Sequence, residues 1–268
     1  LKEDLKVDYV LQGSIRRRGN ALRVNAQLVD AETAFQVWAH RYDRPAQETF
    51  AVQDELTREI VDTLAIQLSP QEKARLARQP TNNLAAYDHF QEGQRLGKIN
   101  TKETNLEAQA AYRRAIETDP TYGRAYGALA YTMAYSFRRG WNDAPMQTID
   151  RALELAQRGV ELDSSIPQTS WSLGYVHLMR KEFAQAEAAV EQALEIAPNY
   201  ADGYGLLALI KNGRGDAEAA IANIKKGMRL NPYYTWDYPY NLGRAHYILG
   251  EYDQAVAELE KAKARNPN

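Results

Sequence analysis

The chain has 268 residues, of which 33 are Lys or Arg and 35 are Asp or Glu, with a formal net charge of −2 and no cysteine. The missing cysteine excludes disulfides, thiolate–metal sites, iron–sulfur clusters and thiol catalysis, and the balanced charge argues against nucleic-acid binding through a basic surface. No apolar run approaches the ~20 residues of a membrane-spanning helix, so the region is expected to have no membrane span.

The first residue is Leu1, not Met, and Leu1–Leu5 only hints at a helix. This start predicts that the chain continues upstream. Tyr9, Leu11, Gly13 and Ile15 then alternate with polar residues, the period of a half-buried strand. Arg18-Gly19-Asn20 is hairpin chemistry, because Gly and Asn tolerate positive φ. Leu22, Val24, Ala26 and Leu28 continue the alternation, and Asp30–Thr33 turns the chain into Phe35–Tyr42. The pattern predicts a three-strand antiparallel meander. Phe50, Leu56, Ile60, Leu64 and Leu68 recur at helical spacing, with Thr49 as the expected N-cap. Ser69-Pro70-Gln71-Glu72 carries a second capping signal and predicts a short helix ending before Gln79-Pro80. Residues 1–68 thus read as a small, incomplete α+β domain, and residues 69–83 as a helical linker. A meander with one helix has a thin core, which fits the C-terminal part of a larger domain.

From residue 84 the period changes. "WSLGYVHLMRKEFAQAEAAVEQALEIAPNY", "YGLLALIKNGRGDAEAAIANIKKGMRLNPYY" and "YNLGRAHYILGEYDQAVAELEKAKARNPN" follow one another. Their closing prolines, Pro198, Pro232 and Pro267, are spaced by 34 and 35 residues. Small residues hold fixed places: Gly174, Ala208 and Gly243 on a first helix, then Ala186, Ala220 and Ala255 and, seven residues on, Ala193, Gly227 and Ala262 on a second. Two helices approach closely only over such small side chains. The frame extends backwards through Ala108, Ala115 and Pro120, and through Ala152, Gly159 and Ser164. The step from Pro120 to Ser164 is 44 residues, which places an insertion around Ser136–Met146. These copies resemble tetratricopeptide repeats, a helix–turn–helix unit of about 34 residues. Five are expected, at about 86–120, 123–164, 167–198, 201–232 and 236–267. The predicted fold class is mainly α: a tetratricopeptide-repeat superhelix over 84–268, preceded by the incomplete α+β domain.

The wording of the N-terminal part, "VDYVLQGSIRRRGNALRVNAQLVDAETAFQVWAHRYDR" and "FAVQDELTREIVDTL", resembles the TolB-like domain that precedes tetratricopeptide repeats in many bacterial multidomain proteins. The resemblance covers residues 1–68. It departs from the family at Phe35-Gln36-Val37, where a glycine- and histidine-bearing turn is usual, and it lacks the opening strand and helix. It implies a parent protein carrying either a class III adenylate/guanylate cyclase domain or a winged-helix DNA-binding domain upstream. The repeat wording "MRLNPYYTWDYPYNLGRAHYILGEYDQA" is similar to the cyclase-linked set. Within these residues no cyclase motif occurs. The resemblance implies a bacterial cytoplasmic protein. The TolB-like likeness also leaves open an envelope-assembly scaffold in the periplasm.

No chemistry of catalysis converges in the sequence, so the chain is expected not to be an enzyme itself and to need no cofactor. His40, His89, His177 and His246 lack the spacing of a zinc helix. The triplet Arg16-Arg17-Arg18 serves solubility or touches an anionic partner. The expected site is the concave face of the repeats, which the first helix of each unit lines. Counting along each unit places Arg124 and Tyr131 of unit two, Gln168, Trp171, Tyr175 and Met179 of unit three, Asp202, Leu209 and Asn212 of unit four, and Asp237, Tyr240, Arg244 and Tyr247 of unit five on that face. Aromatics with arginine are typical binding anchors, so a protein or peptide ligand is the expected partner. The same aromatics also serve if they pack between units, and the sequence leaves both roles open. The second helix of unit five, about Gln254–Arg265, is expected to expose apolar surface, covered by a further segment or by a second copy.

Overall fold

The computed structural model describes residues 7–65, 69, 72–73 and 78–266. They divide into two compact units, Leu1–Leu84 and Ala85–Asn268.

The first unit is built on three antiparallel strands in the order β1-β2-β3: β1 is Tyr9–Arg18, β2 is Ala21–Asp30 and β3 is Gln36–Pro45. Arg18 pairs with Ala21 across a two-residue turn in which Gly19 takes φ +57°, the left-handed conformation that glycine adopts without a Cβ penalty. At the second turn the Asp30 carboxylate accepts bonds from the Glu32 and Thr33 amides at 2.9 and 2.8 Å, an aspartate turn that satisfies amides the sheet leaves unpaired. A bulge at Leu28/Val29 follows from the longer connection. Leu22, Val24, Tyr42 and Val52 form the core, with Leu56 packed on it. Val52 and Leu56 belong to α1, Thr49–Thr63.

That helix starts differently from the expectation. A 3-10 turn, Ala46–Glu48, precedes it, so Glu48 occupies the N-cap, and the Thr49 hydroxyl donates back to the Ala46 carbonyl at 2.6 Å. Glu59 of α1 accepts from Trp38 Nε1 and pairs with His40 Nδ1, both at 3.0 Å, which fastens the helix to β3. On β1 the two residues opposite the buried Leu28 and Val24, Leu11 and Ile15, remain 50% and 75% exposed. The reciprocal cap expected at Ser69 and Glu72 is present: the Ser69 amide donates to Glu72 Oε2 at 2.8 Å, and the Glu72 amide to Ser69 Oγ at 3.3 Å. The rest of the short helix expected there lies outside the described residues.

The second unit is a run of paired helices. The first helices of the five pairs are α2 (Leu84–Gly97), α4 (Gly123–Arg138), α6 (Pro167–Met179), α8 (Ala201–Arg214) and α10 (Asp237–Ile248). The second helices are α3 (Lys102–Thr118), α5 (Pro145–Leu162), α7 (Phe183–Ile196), α9 (Ala217–Leu230) and α11 (Tyr252–Arg265). The small residues do what the spacing predicts. Ala108, Ala115, Ala152, Ala186, Ala193 and Ala220 are fully buried in the contacts. A Cβ added at Gly174 would lie 2.6 Å from a Val190 methyl and 3.0 Å from the Ala186 carbonyl, so only glycine permits that approach. The insertion in unit two is shared between the turn after α4 and an early start of α5 at Pro145, whose fixed φ suits a first helical position.

Each of units three to five closes its internal turn with the same device. The amide of the residue before the second helix donates to a carbonyl five residues back: Glu182 to His177, Asp216 to Lys211, Glu251 to His246, at 2.9, 3.0 and 2.9 Å. The side chains of the same pairs also meet, as His177–Glu182 at 2.6 Å and Lys211–Asp216 at 4.0 Å. Successive units are locked together as well. The Tyr238 hydroxyl donates to the Ala201 carbonyl at 2.9 Å, and Asn212 Nδ2 donates to the Asn241 carbonyl at 2.9 Å.

Candidate functional site

In a stacked array the first helices line the inner face. On these first helices, two successive units bring a group of aromatic rings together. Tyr131 of α4 meets Trp171 and Tyr175 of α6 with ring centroids 5.1 and 4.9 Å apart. Trp171 and Tyr175, four residues apart on one helix face, stack at 5.8 Å with their planes 17° apart. Tyr135 and Trp141 extend the group beyond Tyr131. Trp171 is held in place because its indole N–H donates to the Asp202 carbonyl of α8 at 2.9 Å.

Charge surrounds this wall unevenly. Asp202 and Asp237 occupy the same place in successive units, in the first turn of α8 and of α10. Their neighbours Ala201 and Tyr238 are hydrogen-bonded to each other, so the two helix starts sit side by side. Asp202 is an exposed residue, yet the neighbouring side chains partly desolvate its carboxyl. That burial, then the Asp237 charge, pushes its pKa above the ordinary carboxylate value. The opposite sign comes from Arg138, the last residue of α4, whose charge acts on Tyr175, Tyr135 and Tyr131. The Tyr175 hydroxyl is buried and has no partner in hydrogen-bonding geometry; the Arg138 guanidinium approaches it without satisfying that geometry. Burial pushes the Tyr131 and Tyr175 hydroxyls up, and Arg138 pulls Tyr175 part of the way back.

The structure brings some of the expected residues together and separates others. Tyr131, Trp171 and Tyr175 form the wall. Gln168 and Met179 flank it on α6, half-buried, and Met179 packs on the main core. Arg124 stacks its guanidinium over Phe90 of unit one, 5.0 Å from the ring centroid. Asn212 is 4% exposed and joins unit four to unit five through the bond to Asn241. Tyr240 packs edge-on to Trp236 at 5.8 Å, and Arg244 is half-buried one turn further along. Tyr247 is 65% exposed and contacts Tyr252. Residue counting did not flag Tyr135, Trp141 and Arg138. Tyr135 carries a signal, because it stands four residues after Tyr131 on the same helix. Among the described residues no group of three or more His, Asp or Glu side chains is placed to hold a metal, and no helix is long and apolar enough to cross a membrane.

Two tetratricopeptide-repeat profiles match the chain, at residues 146–201 and 240–268. A protein of Rhizobium meliloti (strain 1021) described as putative adenylate cyclase 3 is 34% identical over 189 residues, 70% of this chain and 32% of that protein. The chain therefore spans about a third of the relative's length. Among solved structures, the thermophilic TPR protein TTC0263 of Thermus thermophilus aligns with a TM-score of 0.56 at 19% identity, over 69% of this chain and 93% of that one. PilF of Pseudomonas aeruginosa aligns with a TM-score of 0.51 at 18% identity, over 67% and 77%. The helical unit is a tetratricopeptide-repeat superhelix, the architecture of a protein–protein interaction scaffold, and a small three-strand antiparallel sheet precedes it.

Proposed function

We propose that this chain is a non-catalytic interaction region that binds a peptide or protein segment in its concave groove and is attached to a class III adenylate/guanylate cyclase. The observation that carries the binding part is the Tyr131–Trp171 pair, aromatic surface left half-open and backed by the buried Tyr175, on the first helices of a repeat array. Such surface is the usual anchor of an interface. The cyclase link is supported by the Rhizobium relative and by the sequence likeness to cyclase-linked repeats. In this reading residues 1–68 are the end of a TolB-like domain, placed between output domain and repeats, and the protein works in the bacterial cytoplasm. The groove ligand biases the output domain through its differential affinity for two arrangements of the whole protein.

A row of exposed apolar side chains on α11, Tyr252, Val256 and Leu259 at 62%, 56% and 37%, supports a second contact there, self-association included.

Random peptides displayed on phage and selected on the chain test the groove directly. Synthesised winners are expected to bind the wild type and to lose most of their affinity for Trp171→Ala. Peptides that bind Trp171→Ala and Tyr131→Ala as tightly as wild type would sink the groove assignment. For the output link, the full-length gene product is expected to form cyclic nucleotide from a nucleoside triphosphate, at a rate that changes when the selected peptide is added.

A further inference from the structure

We infer that the groove takes the cationic side chain of a Lys or Arg in the bound segment, at the seam of units four and five, where Asp202 and Asp237 stand beside the aromatic wall. The inference rests on the groove-binding reading and adds the chemistry of the ligand.

Three independent features point the same way. First, Asp202 and Asp237 stand at neighbouring helix starts, near enough for one charge to act on the other, and among the described residues neither has a lysine or arginine within ion-pair distance, although the Thr235 hydroxyl donates to Asp237. At the preceding seam acids are paired: Glu187 of unit three holds both Lys211 and Arg214 of unit four, at 2.5 and 2.8 Å. Like charges in a desolvated place repel, and a cation entering between them relieves both. Second, the adjoining surface is aromatic. Ring faces attract a cation within about 6 Å of the centroid, and the Trp171 ring is tied to Asp202 through its own N–H. Third, the Tyr175 hydroxyl is buried in this wall and makes no hydrogen bond of good geometry, with the Arg138 guanidinium on one side of it. Its oxygen is an acceptor for an incoming N–H, and it lies close enough to Asp237 to feel that charge. Arg138 marks the other end of the wall, at the C-terminus of α4, so the site is polarised: positive toward unit two, negative toward units four and five. An anionic group at the Asp202–Asp237 end would add a third negative charge. A bare metal ion would lack the ligand set it needs.

The segment's register follows from the polarity. The basic side chain sits over Asp202 and Asp237, and the chain then runs across Trp171 and Tyr131 toward Arg138.

The test uses peptides selected on the wild-type chain, measured by fluorescence anisotropy against wild type, D202N, D237N and the double variant. Asparagine keeps the shape, and the Trp171 bond survives because it goes to a backbone carbonyl. The expected result is a Lys or Arg at one fixed place in the selected peptides. The double variant and the Gln-substituted peptide each lose about tenfold or more in affinity, about 1.4 kcal/mol. Affinity falls with added salt, and E218Q on the exposed side of α9 changes nothing. Circular dichroism melting confirms that the variants fold. Peptides that are neutral or acidic, or that bind the double variant as well as wild type while still losing affinity for Trp171→Ala, would overturn this inference and leave groove binding standing. Failure to select any peptide sensitive to Trp171→Ala would overturn both.

Discussion

Gly174→Ala separates a packing role for the small residues from mere composition. The new Cβ would stand 2.6 Å from a Val190 methyl and 3.0 Å from the Ala186 carbonyl. Val190 is fully buried, and its branched side chain has few alternative rotamers, so the helices must separate. Overpacking of this kind costs about 1–3 kcal/mol. Alanine regains about 1 kcal/mol of helix propensity. With a buried β-branched neighbour and a backbone carbonyl both too close, the strain belongs in the upper part of its range, for a net loss of about 1–2 kcal/mol. At ~2–4 °C per kcal/mol for a chain of this size, the melting temperature falls by about 2–8 °C. Gly243→Ala is the matched control. It occupies the same place in unit five and meets the equivalent Ala255 carbonyl at 3.0 Å, but its side-chain neighbour Leu259, 2.8 Å from the added Cβ, is unbranched at Cβ and 37% exposed, so that part of the clash can be relieved outward. Propensity then offsets most of the strain, and the change stays under about 1 kcal/mol. Thermal melts followed at the helical circular-dichroism band read both. A Gly174→Ala protein that melts at or above wild type, or a Gly243→Ala protein that loses more than Gly174→Ala, would refute the reasoning.

Tyr238→Phe removes the bond to the Ala201 carbonyl and destabilises units four and five by about 0.5–1.5 kcal/mol, seen as faster amide exchange in α10 and α11 than in α6. Burial pushes the Tyr42 and Tyr112 hydroxyls up to about 12, from ~10 in the unfolded chain. The folded state therefore holds protons that the unfolded state releases, and the stability this confers is full below pH ~10 and is lost as pH rises toward ~12. Urea midpoints measured across that window are expected to fall; a flat profile would contradict the burial of these hydroxyls. If α11 mediates self-association, the double variant Val256→Glu, Leu259→Glu lowers the mass seen by light scattering at high concentration. An unchanged monomer in both proteins would exclude that contact.

Much of this fold was legible in the sequence, because its rules are short-ranged. The meander announces itself by two-residue alternation and by Gly19, and the paired helices by Ala and Gly at fixed spacing. What stayed hidden depends on turns and on neighbours. A 3-10 turn displaced the expected cap from Thr49 to Glu48, which no helical period signals. The His177–Glu182 and His246–Glu251 contacts span five residues across a bend, so neither helical nor strand spacing marks them. At the site, Trp171 and Tyr175 share a face by spacing alone, but their contact with Tyr131 exists only once two units stack. The place of Asn212 in the unit predicts that it faces the groove. Its amide instead turns into the seam, where the Asn241 carbonyl of the next helix offers an acceptor.

The central claim is that the concave face, lined by the first helix of each unit, is where a segment binds. Amide hydrogen exchange with and without a selected peptide tests it most directly. Slower exchange confined to α4, α6, α8 and α10, strongest around Tyr131, Trp171 and the start of α10, is the predicted result. Protection that falls instead on the second helices, α5, α7, α9 and α11, or on the strands of the first unit, would contradict it.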